Sequence, residues 1–147
     1  MRCVVQKVNE SSVIVDGKVI NKIGRGLMVL VGFTDTDTID DLKYCVRKIV
    51  NLRIFEDDND VMNRSVLDEH GEILSISQFT LYGDVKKGNR PSYVKALNGE
   101  EAIKLYEEFN RLLNYEVPTK PGVFGADMKV SLINDGPTTI IIDTLNK

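Results

Sequence analysis

The chain has one histidine, two cysteines and four prolines in 147 residues. Each shortage excludes something. A Ser-His-Asp hydrolase would have to rest on His70 alone, and that residue lies in "DEHGE", a setting for an exposed turn. No G-x-S-x-G elbow is present either. Cys3 and Cys45 share no short metal-binding spacing and are too few for a disulfide scaffold, so a reduced, cytoplasmic setting is expected. "MRCVVQKV" turns polar too soon for a secretory leader. Without secretion, the glycosylation patterns "NES" and "NRS" carry no meaning. No segment approaches the roughly 18 apolar residues of a spanning helix, so no membrane partner is expected. The net charge of −3 argues against a protein that coats nucleic acid, and DNA is not expected as a partner. It leaves room for RNA met through a small basic patch.

What is present reads as one α+β domain over residues 1–147. The apolar fraction of 42% supports a real core. "RCVVQKV" and "SSVIVDG" read as two strands joined by a polar turn, followed by "KVINKIG" and the nearly all-apolar "GLMVLVGF". Ile39, Leu42, Cys45, Val46, Ile49 and Leu52 recur at helical spacing, with Thr38 as N-cap and Asp40 and Asp41 in the first turn. "RIFE" is a short strand, "DDNDVMNRSVLDEHG" a polar connector and "EILSISQFTLYG" a strong strand. A long loop then leads to a second helix, "NGEEAIKLYEEFNRLLNY". "DMKVSLIND" and "TTIIIDT" read as two closing strands around Gly-Pro. The expected architecture is a largely antiparallel, barrel-like sheet covered by two helices. The absence of alternating βα units argues against a dinucleotide-binding fold.

Most candidate motifs have ordinary explanations. "GRGLMVLVG" lacks the third glycine and the helix of a dinucleotide loop, so it reads as a hairpin turn. "EDDNDVMN" lacks the glycine and distal glutamate of a calcium loop, so no metal is expected there. Two stretches are different. In "SISQFTLYGD", Ser77, Gln78 and Thr80 place polar groups where a buried strand should end. Directly after it, "GDVKKGNRPSY" sets Lys86, Lys87 and Arg90 within five residues; by itself this reads equally as a solvated basic loop, and its adjacency to Ser77, Gln78 and Thr80 favours a phosphate-contacting patch beside a pocket. "INDGPTT" has the composition of a hairpin turn.

"SQFTLYGD", "NLRIFED", "KKGNRPSY", "FGADM" and "NDGPTT" together resemble the D-aminoacyl-tRNA deacylase family, over essentially the whole chain. The resemblance implies a homodimer that hydrolyses the ester joining a D-amino acid to the 3′ end of tRNA, without a cofactor or metal. The family's S-Q-x-x-L motif falls on Ser77, Gln78 and Leu81, enclosing Phe79 and Thr80. Its Gly-cisPro motif falls on Gly136 and Pro137, a dipeptide that in the family reaches into the partner's pocket. Composition alone gives no reason for that isomer, since X–Pro bonds in folded proteins are overwhelmingly trans. Phe124 and Met128, in "FGADM", resemble the stretch that seats the terminal adenosine, and Lys7 and Asn134 are expected to support the Gly-Pro segment.

The resemblance gives the polar strand end a role. Backbone N–H groups of Phe79 and Thr80 would hold the ester carbonyl, and such donors are worth roughly 3–4 kcal/mol each. Thr80 is a tempting nucleophile, but nothing in the sequence supplies its base. The family picture instead has a hydroxyl of the tRNA's terminal ribose help activate water. Chirality would be read by exclusion: Gly136 brings backbone close and Pro137 fixes a wall against an L side chain. Such a wall cannot reject glycine, so glycyl-tRNA is an expected substrate as well. Two positions depart from the family: lysine stands at position 7 where arginine is frequent, and Thr138 follows Gly-Pro where valine is usual. Lysine keeps the charge but loses the planar fork. Competing readings are an RNA-binding module without catalysis and a small-molecule hydrolase sharing the fold. Turnover of a tRNA ester, and its preference over a free ester, separate them.

Overall fold

The computed structural model describes all of residues 1–147. Its spine is one long strand, β1 (Arg2–Val15), rather than the two expected, because the chain continues through Asn9–Glu10 without turning back. β1 pairs antiparallel with β2 (Lys18–Ile23), with β3 (Gly26–Gly32) and with the last strand, β8 (Lys129–Asp143). Beyond β3 the sheet turns parallel, through β6 (Glu72–Ser77) and then β7 (Thr119–Pro121). β4 (Phe55–Glu56) and β5 (Met62–Arg64) form a separate small ribbon inside the polar connector. β5 and β7 were not expected; three-residue segments are too short to show a period.

The two faces of β3 explain its unbroken apolar run. Leu27, Val29 and Val31 point into the larger core beneath the helices α1 (Ile39–Asn51) and α2 (Gly99–Glu116). Met28 and Leu30 point the other way, where the curled ends of β1 and β8 close a smaller core around Val8, Val13, Leu74 and Ile76. α1 begins as expected: the Asp41 carboxylate accepts the Thr38 backbone N–H at 2.9 Å. α2 is capped by Asn98, whose side-chain oxygen accepts the Glu101 N–H. Its Tyr106 is buried and donates its hydroxyl to the Ser75 carbonyl at 2.7 Å, fixing the helix to β6.

Two expectations need correction. "SISQFTLYG" is not strand throughout: β6 stops at Ser77, and Phe79–Tyr82 form a 3-10 turn. Polar Ser77 and Gln78 end the ladder where the backbone must leave the sheet. "INDGPTT" is not a hairpin either. β8 runs on through it, paired with β1 on both sides: Val8 faces Asn134 and Gln6 faces Thr139. Residues 135–138 lie opposite Lys7 alone, so β8 carries three extra residues and bulges there.

Candidate active site

A cavity of about 580 Å³ opens where β3 and β6 end. Ser77, Gln78 and Phe79 line one side, and Phe33, Leu97 and Ala102 lie behind them. The segment Phe124–Met128 forms the opposite wall, with Tyr93 at the rim. Asp127 is the one charged residue in this lining. A pocket that is largely apolar, with polar groups at one edge, suits a small planar ring beside a reacting group.

The turn at the pocket floor is built by close approach. The Gln78 N–H donates to the Val31 carbonyl at 2.7 Å, extending the β3–β6 pairing by one residue. The chain then folds over Gly32, where a Cβ would stand 2.8 Å from the Gln78 carbonyl oxygen and 3.2 Å from the Leu81 Cβ. The turn closes with Leu81 N–H to Gln78 and Gly83 N–H to Thr80. Those bonds use later N–H groups, so Phe79 and Thr80 open the turn as its leading donors. Phe79 meets Tyr93 edge to face at 5.1 Å. Thr80 is exposed, and its hydroxyl accepts the Gln78 side-chain amide. An amide N–H that donates to this hydroxyl cannot take its proton, so Gln78 is no base for Thr80. His70 is an exposed turn residue at φ 50° and does not line the cavity.

The 122–128 wall is tied to the same framework. The Gly122 N–H donates to the Ser75 carbonyl at 2.9 Å and to the Tyr106 hydroxyl at 3.2 Å. Phe124 rests on Tyr106, ring centroids 5.8 Å apart, and Met128 packs on the smaller core. Burial raises the Tyr106 phenol's pKa, so it remains a neutral donor. Lys86, Lys87 and Arg90 do not line the cavity. They stand exposed on a loop closed at its base by paired backbone bonds between Asp84 and Ser92.

Gly136 and Pro137 lie outside this cavity, exposed on the β8 bulge and joined by a cis peptide bond. Gly136 has φ +123°, and a Cβ there would collide with the Thr138 hydroxyl. Asn134 bridges the bulge from below: its Oδ1 accepts the Thr138 N–H, and its amide donates to the Thr139 hydroxyl, both at 3.1 Å. Lys7, only 1% exposed, lies beside it, 2.7 Å from Glu56 Oε1 and 3.9 Å from Asp135 Oδ2. Its hydrogen bond holds the Glu56 carboxyl below the usual range. The structure thus gathers Ser77, Gln78, Phe79, Phe124 and Met128 at one pocket and Lys7, Asn134, Gly136 and Pro137 at a second place. Reading by residue missed Gly32, Tyr93 and Leu97. Tyr93 stood within the quoted "KKGNRPSY", but an exposed loop tyrosine has no periodicity to mark it.

A mixed, nearly closed sheet with two covering helices is the fold class of the aminoacyl-tRNA deacylases. The fold superposes on a "c-Myc DNA Unwinding Element Binding Protein" with TM-score 0.93 at 44% identity, covering 98% of this chain and 99% of that one. It also superposes, with TM-score 0.81 at 20% identity, on a chain described as a probable eukaryotic D-amino acid tRNA deacylase, covering 96% and 97%. The family model "D-Tyr-tRNA(Tyr) deacylase" matches residues 4–143. A D-aminoacyl-tRNA deacylase of Clostridium botulinum (strain Eklund 17B / Type B) is 57% identical over 145 residues, 98% of this chain and 97% of the relative. One of Parabacteroides distasonis is 53% identical over 149 residues, 100% and 99% of the two chains. The chain belongs to the D-Tyr-tRNA(Tyr) deacylase family, hydrolases of the ester between an amino acid and tRNA.

Proposed function

We propose that this protein removes D-amino acids, and glycine, from tRNA while sparing L-aminoacyl-tRNA, as a homodimer whose subunits complete each other's pockets. The terminal adenosine of the tRNA enters between Phe124 and Met128. The ester carbonyl lies against the N–H groups of Phe79 and Thr80, with Ser77 and Gln78 beside it. The ribose hydroxyl next to the ester helps a water molecule attack, so the protein needs no base of its own. The exposed Lys86, Lys87 and Arg90 meet backbone phosphates.

The observation that carries this reading is the placement of Gly136 and Pro137. The bulge that carries them is braced by Asn134, with Lys7 beside the adjoining Asp135, and they are exposed without lining their own chain's cavity. A braced, exposed wall outside its own pocket suits the pocket of a second copy. A row of apolar residues supports the docking: Ile141, 72% exposed, pairs with Val4, Val4 with Leu30, and Leu30 with Ile76 at the pocket edge.

The test is a deacylation time course with D-tyrosyl-, L-tyrosyl- and glycyl-tRNA, repeated with a Gly136/Pro137 double substitution and with Thr80→Ala. The D and glycyl esters should be cleared and the L ester spared. The double substitution should lose L-rejection or activity, and Thr80→Ala should keep substantial turnover. Glycyl-tRNA that survives enzyme levels clearing the D ester would sink the steric account. Complete loss in Thr80→Ala would make Thr80 the nucleophile.

A further inference from the structure

Arg2 begins β1, opposite Gly32 in the antiparallel register with β3 and opposite Asp143 in that with β8. Because Gly32 has no side chain, the Gln78–Tyr82 turn lies directly against the end of this strand pair. Arg2 spans that junction with three separate contacts. Its Nε donates to Asp143 Oδ2 at 3.0 Å, and its NH1 donates to the Leu81 carbonyl at 2.9 Å. Its guanidinium lies over the buried Tyr82 ring, 4.6 Å from the centroid. Leu81 follows Thr80 directly. The carbonyl held by Arg2 therefore belongs to the same short turn whose first N–H groups are proposed above to hold the ester. A planar guanidinium satisfies both bonds and the stacking at once, which a lysine cannot do.

We infer that Arg2 is a positioning residue for the deacylation: it locks the Phe79–Tyr82 turn at the height and tilt its N–H groups need, using Asp143 as its fixed post. The inference rests on the reading of that turn as the catalytic floor. Arg2 touches no substrate; it acts through the Leu81 carbonyl. A misplacement of about 1 Å in such a group costs roughly 100-fold in rate.

The experiment measures kcat and KM for D-tyrosyl-tRNA, with thermal melting of every variant. Arg2→Ala should lower kcat roughly 10- to 100-fold with KM within about twofold. Asp143→Asn, whose Oδ1 still accepts the Leu145 N–H seen in the parent at 2.9 Å, should also lower kcat. The double variant should be no worse than Arg2→Ala, because both act through one contact chain. Arg2→Lys should remain impaired, whereas guanidinium ion at millimolar concentration should partly restore Arg2→Ala. Gln78→Ala serves as the control for the floor itself. If Gln78→Ala loses activity and Arg2→Ala does not, the positioning role is overturned and the floor stands. If neither loses activity, the reading of the floor fails and takes the inference with it. If kcat falls only in step with the melting temperature and Arg2→Lys restores both, Arg2 is merely structural. Should Arg2→Ala not fold, Asp143→Asn and Arg2→Lys decide the matter alone.

Discussion

Thr138 offers a test in which losing a polar group should strengthen the protein. Its side chain is 6% exposed, and its hydroxyl oxygen has no hydrogen-bond partner within the chain. Its backbone N–H is already satisfied by Asn134, so nothing local requires the hydroxyl. Valine has nearly the same shape and keeps the β-branch that suits the strand. Burying a hydroxyl without a partner costs about 1–3 kcal/mol by mutational measures. Thr138→Val should therefore stabilise the fold by about 1–2 kcal/mol. Unfolding entropy is about 2.1 cal/mol/K per residue, or roughly 0.3 kcal/mol per degree for 147 residues. The expected rise in Tm is then about 3–6 °C. Differential scanning calorimetry at several protein concentrations measures it, with urea unfolding as a second reading. A lower Tm would refute the reasoning: the hydroxyl would then have an acceptor, and a drop that deepens with protein concentration would place that acceptor in a second copy.

Gly32→Ala should cost about 1–3 kcal/mol, since the new methyl must push back the Gln78 carbonyl. It should also reduce deacylation at least tenfold at a temperature where the variant is fully folded; unchanged kcat would show that the turn tolerates displacement. Acid should destabilise the 55–70 segment. Glu56 is held low by the Lys7 hydrogen bond, Asp57 by the Asn59 and Val61 N–H groups, and Asp68 by Ser65. A depressed folded pKa gives stability that is complete above the unfolded value, about 4, and lost as pH falls through the folded one. The urea midpoint should stay flat from pH 7 to about 5 and then fall below about pH 4. Asp57→Asn should flatten that fall; a midpoint that rises on acidification would reverse the sign of the argument.

The parts of the fold set by burial were readable from residue patterns. Leu42, Cys45, Val46 and Ile49 mark α1 because one helix face must meet the core, and Leu27–Val31 mark a strand buried on both sides. Asn9–Glu10 and Asn134–Thr138 misled because polar, turn-forming residues also occur at bulges, where the chain stays extended. Only the pairing across the sheet separates the two cases, and pairing is not local. The pocket motif was visible as polar residues in the wrong place, but its helical turn was not. Arg2 left no trace at all: a half-exposed cation near a strand end resembles any other until its partners, Leu81 and Asp143, are brought beside it.

The β1–β8 pairing joins residues more than a hundred positions apart, with Arg2 opposite Asp143 and Gln6 opposite Thr139. Contacts so distant in the chain close late, because the loop entropy is spent before they return anything. On the ribosome, β3, β6 and the pocket floor emerge well before β8. The Gly136–Pro137 bulge comes into register only when the last strand reaches the first. On the proposed reading, a growing chain carries the residues of its ester-binding floor before those of its wall against L side chains. If that wall is what tells D from L, discrimination waits on the pairing of the last strand with the first.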